Sequence, residues 1–165
     1  ALAGQLGITD YPCPAGGCLL TDKEIAARLR DLFAYVRNYD MADLQLLKIG
    51  RHFRLNPALK VIVGRNREDN EKIRMFAEPG SIVFSPLGFR GPTAIIRGTT
   101  DKDSDMVIGG IIARYSQDKP SGYPIQRQVI KGESRDFFVT ERFAVEHLEN
   151  FLIGSEKKIS ERAEG

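Results

Sequence analysis

At Lys48 the spacing of the apolar residues changes, and that change limits the chain to folds mixing helix with sheet. Upstream, Ile25, Leu29, Leu32, Phe33 and Val36 recur at intervals of three and four, the period of one helical face. Thr21-Asp22-Lys23-Glu24 ahead of them has the form of a capping box, so a helix of about 15 residues is predicted there. Asn38 to Asp40 ends it, and Asp40 can cap a second short helix through Leu47. Downstream, Ile49, Arg51, Phe53 and Leu55 alternate with Gly50, His52 and Arg54, which is strand periodicity. Asn56-Pro57-Ala58 turns the chain into Leu59–Val63, a second strand returning antiparallel.

The same reading extends to the end. Asn66 caps a charged helix to Met75, Ser81–Phe84 and Thr93–Arg97 are strands, and Pro86, Gly88, Gly91 and Pro92 mark the loop between them. Asp101 to Asp105 lead into a helix through Met106, Ile108, Ile111, Ile112 and Tyr115. Its interior pair Gly109-Gly110 costs about 2 kcal/mol against alanine, so something must pack closely there. Ile125–Ile130 and Phe137–Thr140 are predicted strands and Glu141–Ile153 a closing helix, with a frayed polar tail after it. The expected fold is α+β: a largely antiparallel sheet with flanking helices. Residues 1–20 read as linker, 21–47 as a helical lead-in, 48–154 as the domain and 155–165 as a flexible tail.

A chain of 165 residues, 42% apolar and 28% charged, has ordinary globular usage, which excludes disordered and fibrous classes. Its apolar runs, such as Ala94-Ile95-Ile96, fall far short of the roughly 18 residues of a spanning helix. No charged-then-apolar leader opens it and two cysteines make no disulfide scaffold, so a cytoplasmic, reducing location without a membrane partner is expected. The loose opening at Ala1 suggests a piece of something longer. The net charge of +2 conceals an asymmetry: residues 23–97 carry 14 Lys or Arg against 8 Asp or Glu, while both flanks are acidic. A basic middle block is a footprint for a polyanionic partner.

Three segments are candidates for chemistry. In Cys13-Pro14-Ala15-Gly16-Gly17-Cys18 the two thiols fit a structural turn, redox or sulfur-carrier chemistry, or half of a metal site. With His52 and His147 far away in sequence, no metal site is expected. Val63-Gly64-Arg65-Asn66-Arg67 places a glycine between strand and helix with two arginines beside it. It suits either an anion held on backbone amides or a capped turn with solvated arginines. Leu87-Gly88-Phe89-Arg90-Gly91 offers an aromatic and an arginine to a nucleic acid, or a Phe89 tucked into the core. A phosphate-loop lysine and a GxGxxG pattern are both missing, which disfavours NTP or dinucleotide binding, and no GxSxG elbow, HExxH or recognisable carboxylate pair is present. Asp101, Asp103 and Asp105 lack the glycine and glutamate of a calcium loop and read as helix N-terminal acids.

Val63-Gly64-Arg65-Asn66 with Asn70, then Gly80-Ser81-Ile82-Val83-Phe84, Gly91-Pro92-Thr93 through Arg97, Ile112–Gln117 and Tyr123-Pro124-Ile125, taken in order, resemble the NFACT-R family. That family is the RNA-binding module of ribosome-quality-control NFACT proteins. The likeness spans about residues 48 to 140, with Gly64, Arg65, Asn66, Asn70, Gly91 and Arg97 matching. The family's tryptophan and histidines fall on Val83, Ser85 and Thr93, so no histidine role carries over. The stretch from Pro14 through Leu55 resembles the carboxy-terminal half of bacterial tRNA thiouridylase-like proteins, where an ATP-using adenylating domain precedes such a module. Its SGGxDS motif is absent from this chain, so ATP is expected only in that missing domain and no cofactor in this one.

The resemblance implies a domain that binds tRNA or another structured RNA for a thiolating parent protein, itself catalytically inert. Arg51, Arg54, Arg65, Arg67, Arg90 and Arg97 are expected on phosphates, Asn66 and Asn70 on the turn or a sugar edge, and Phe89 on a base. Two rivals stand beside it. In one, Cys13 or Cys18 carries sulfur for the missing half; in the other, the helices dock the adenylating domain or a second copy.

Overall fold

A computed structural model describes residues 21–154. In chain order the elements are helices α1 (Lys23–Tyr35) and α2 (Met41–Leu46), strands β1 (Arg51–Asn56) and β2 (Leu59–Val63), helix α3 (Arg67–Met75), strands β3 (Ile82–Pro86) and β4 (Ala94–Gly98), helix α4 (Lys102–Arg114), strands β5 (Tyr123–Val129) and β6 (Ser134–Val139), and helix α5 (Val145–Phe151). One six-stranded sheet runs β1-β2-β4-β3-β5-β6 with every neighbour antiparallel. The α+β fold predicted from the sequence is the fold observed.

Two connections cross over a strand: β2-α3-β3 passes β4, and β4-α4-β5 passes β3. Both move the same way along the sheet, yet β2 and β4 run in opposite directions. If both crossovers keep the favoured right hand, their helices must lie on opposite faces. They do. Ile108, Ile111 and Ile112 of α4 pack with Phe53, Val61, Val63, Phe84, Ala94, Ile96 and Ile125. Ile73 of α3 packs on the other face with Leu46 of α2, Ile49, Ile62, Val83 and Ile95.

The α1 and α2 side of the sheet carries a layer of charge. Arg54, Lys60 and Arg97 are direct cross-strand partners on β1, β2 and β4. Like charges side by side repel, and the helices supply the neutralising acids. Asp31 of α1 accepts from Arg54 Nε at 3.0 Å and a terminal nitrogen at 2.7 Å, with Lys60 Nζ at 3.3 Å. Arg97 Nε stands 2.8 Å from Asp43 of α2, although its N–H is not aimed at the carboxylate. The inner face of α1 is therefore Arg28, Asp31 and Leu32, while Phe33 of the predicted apolar stripe is 39% exposed. Arg28 is buried, donating to Leu47 O at 2.8 Å and Gly50 O at 2.9 Å and pairing with Glu24.

Element boundaries depart from expectation in identifiable places. Asp22 rather than Thr21 caps α1, accepting from Glu24 N and Ile25 N. Strand β5 begins at Tyr123 and β6 at Ser134, both earlier than predicted, and α5 starts at Val145 rather than Glu141. The paired glycines of α4 meet the close packing that their helix cost requires. A Cβ on Gly109 would stand 2.6 Å from a methyl of Val139 and 3.0 Å from the Phe137 ring. Gly110 O accepts from Phe143 N at 3.0 Å. Asp101 caps α4 in a capping box with Ser104, whereas Asp105 is buried and pairs with Arg135 and Arg127. Beyond α5, Leu152 bridges Phe53 and Ile153 N donates to His52 O at 2.9 Å, laying the chain along the outer edge of β1.

Candidate nucleic-acid interface

At one end of the sheet the chain leaves β2 through Gly64 and Arg65 and enters α3. Asn66 caps that helix, its Oδ1 accepting from Asp69 N at 2.8 Å. Asn70, one turn on, accepts from Thr93 N at 2.9 Å, and Gly64 N donates to Thr93 O at 2.9 Å, so α3 is tied to the start of β4. Only glycine permits this approach: a Cβ on residue 64 would stand 2.1 Å from Asn70 Oδ1. Asp69 fastens the same corner, accepting from Gly50 N, Arg65 N and Arg65 Nε at 3.1–3.2 Å. Burial opposes its charge, but the Arg65 amide and guanidinium and the Gly50 amide outweigh it and hold the carboxyl below its ordinary value.

Between α3 and the 87–92 loop lies a cleft of about 640 Å³. One wall is the exposed face of α3 with Arg67, Asn70, Glu71 and Arg74, preceded by Gly64, Arg65 and Asn66. Phe89 through Pro92 form the other, and Arg51, Tyr115 and Gln117 complete the lining. The Arg51 guanidinium lies over the Tyr115 ring, 4.3 Å from its centroid. Phe89 meets Tyr123 edge-on at 5.3 Å and packs against the main core, so it serves both the core and the cleft. Arg90 is fixed by Asp118, with its N–H at 2.7 Å and its guanidinium at 2.7 and 3.1 Å. Those bonds hold the Asp118 carboxyl below its ordinary value.

Five arginines therefore share one concavity, and their charges are unequally committed. Arg65, Arg67 and Arg90 lean on Asp69, Glu71 and Asp118. Among the described residues Arg51 and Arg74 have no carboxylate partner; Arg51 stacks on Tyr115, and Arg74 donates to Thr93 Oγ1 at 2.7 Å. These two hold charge that no neighbouring acid neutralises.

Of the residues picked out in the sequence, Arg51, Arg65, Asn66, Arg67, Asn70, Phe89 and Arg90 line the cleft. Arg54 and Arg97 do not. They belong to the charged layer beneath α1 and α2, held by Asp31, Asp43 and Asp40. Arg74 and Tyr115 went unremarked as site residues, yet Arg67, Asn70 and Arg74 follow the three-and-four spacing of one helical face. Cys13 and Cys18 lie outside the described residues. Among those described, no three His, Cys, Asp or Glu side chains gather into a metal site, and no helix is long and apolar enough to cross a membrane.

Comparison with known proteins agrees with the geometry. No curated protein matches the chain. Its fold is similar to that of the C-terminal of the fibronectin/fibrinogen-binding protein from Streptococcus suis, with a TM-score of 0.53 and 11% sequence identity, over 79% of this chain and 68% of that one. The model of the NFACT protein RNA binding domain matches residues 50–152, from the turn into β1 to the segment that covers its edge. That span contains the sheet, α3, α4, α5 and the whole cleft, and the chain belongs to the NFACT RNA-binding-domain family.

Proposed function

We propose that this RNA-binding domain holds a structured RNA, tRNA in the first instance, in the cleft between α3 and the 87–92 loop. The observation that carries the reading is the pair Arg51 and Arg74, cations without acid partners among the described residues, in a concavity that already gathers three other arginines. Guanidinium groups recognise phosphate through paired donors. The ion-paired arginines can exchange their carboxylates for phosphate, Arg67 most readily because its side chain is 93% exposed.

Fluorescence anisotropy with labelled tRNA over a range of salt tests this. Affinity should fall with salt by a log–log slope of about −0.7 to −0.9 for each phosphate contacted. Arg51→Ala and Arg74→Ala should each weaken binding and reduce that slope by about 1. Salt-independent association, or variants that bind as the parent does, would remove the cleft from consideration. The thiolation setting and an adenylating partner domain rest on the likeness of residues 14–55 alone. A uridine-thiolation assay on tRNA, with the sequence upstream of Ala1 in place, tests that narrower idea.

A further inference from the structure

We infer that the cleft takes an unpaired nucleotide of the RNA rather than a stretch of continuous duplex; this rests on the RNA-binding reading above. A double helix offers a protein its phosphates, its hydroxyls and its groove edges, while its bases stay stacked on one another. A site for that surface needs charge on a shallow face. This one is a half-open concavity and carries planar groups as well. Its volume of about 640 Å³ falls in the range of clefts that receive small ligands.

The planar groups are Arg51 and Tyr115, already stacked on each other, and Phe89, whose contact with Tyr123 is edge-on at 77°. Faces of this kind interact with the π-face of a base, which is available only where the base has left its stack. Neutral hydrogen-bonding groups stand among them. Gln117 is exposed on the lining, and Asn70, anchored through its Oδ1 to Thr93 N, retains its amide N–H₂. Such amides can pair with the donor and acceptor pattern of a base edge, and they carry no net charge. The uncommitted charge of Arg74 on α3 suits the phosphate that accompanies the base. Plane, edge partner and phosphate partner thus occupy one concavity, the three requirements of a single splayed-out nucleotide.

The test compares three labelled RNAs on the full chain: a blunt duplex, the same duplex with one bulged nucleotide, and the bulge made abasic. The bulged RNA should bind about tenfold more tightly than the blunt one, within what one stacked base contributes. The abasic bulge should lose that advantage, and Tyr115→Leu and Phe89→Leu should each narrow the gap. Equal affinity for blunt and bulged duplex, with binding still weakened by Arg74→Ala, would overturn the unpaired-nucleotide site and leave the RNA-binding reading standing. An abasic bulge that binds as well as the intact one would overturn it too, because a kinked backbone alone would then account for the preference. Absence of binding to any of the three, and to tRNA, would remove both readings. The comparison on the unaltered chain decides the matter even if a variant fails to fold.

Discussion

Asp31 on the inner face of α1 and His52 of β1, both buried, give the protein two acid-sensitive positions that act in different pH windows. His52 Nε2 lies 3.0 and 2.9 Å from Leu46 O and Ile49 O, carbonyl contacts that favour its charged form but are outweighed by its surroundings. Burial, with the charges of Lys60 and Arg28, pushes its pKa well below the ordinary value of 6.5. The unfolded chain therefore takes up a proton that the folded one refuses. Stability should be level above pH 6.5 and decline below it by up to about 1.4 kcal/mol per pH unit until the folded imidazole titrates. Urea melts from pH 7.5 to 5 should show that decline in the parent and a flatter profile in His52→Gln. Asp31 has the opposite charge logic. Burial opposes its carboxylate, but the Arg54 hydrogen bonds and the Lys60 charge outweigh it and lower the pKa. Its contribution is present above the unfolded value of about 3.9 and is lost as pH falls through the lower folded one. Asp31→Ala should cost about 3 kcal/mol at neutral pH, because Lys60 and Arg54 would be left without their acid. That difference should shrink in melts carried below pH 4.

At the scale of elements, α4 rests on β6 through a contact that tolerates no side chain at one position and admits one at the next. The nearest atom to a Cβ on Gly110 is 3.4 Å away, against 2.6 Å for Gly109. Gly109→Ala should destabilise by about 1–2 kcal/mol, overpacking against Val139 and Phe137 exceeding the gain in helix propensity. Gly110→Ala should be neutral or stabilise by up to about 1 kcal/mol. Paired thermal melts of the two variants distinguish these outcomes, and equal destabilisation would refute the packing account. The existence and type of these elements were legible in the sequence because apolar spacing is set by which face is buried. The ends were not legible where that rule fails. Strand β6 opens with Ser134, Arg135 and Asp136, all exposed, so no alternation marks it. Residues 141–144 are excluded from α5 even though apolar residues at helical spacing continue across them, and Phe143 packs beside the main core from outside that helix.

Taken whole, the molecule divides the arginines of residues 51–97 between two tasks. Arg51, Arg65, Arg67, Arg74 and Arg90 gather at the cleft, while Arg54 and Arg97 join Lys60 in a layer neutralised by Asp31, Asp40 and Asp43. Substituting Arg54 or Arg97 with Gln should lower the urea midpoint and leave the RNA affinity and salt slope of the folded protein unchanged. A drop in affinity without a loss of stability would contradict that division. Much of the cleft could be read from residue order, since Gly64, Asn66 and Asn70 specify a corner that brings its neighbours together. Arg54 could not be placed in this way. A cation on a strand ordinarily faces water, and nothing local to residue 54 announces that a helix will bring a carboxylate to it from 23 positions upstream.

The segment lying against β1 has a further effect. A sheet with two bare margins can recruit copies on either side and grow without limit, whereas one bare margin allows only a closed pair. Leu152 and Ile153 occupy one margin, and Arg135 and Asp136 place charge along the other. Proteolytic clipping ahead of residue 152 would therefore bare the β1 margin alone, allowing a closed pair of copies while the charged β6 margin still resists open-ended growth.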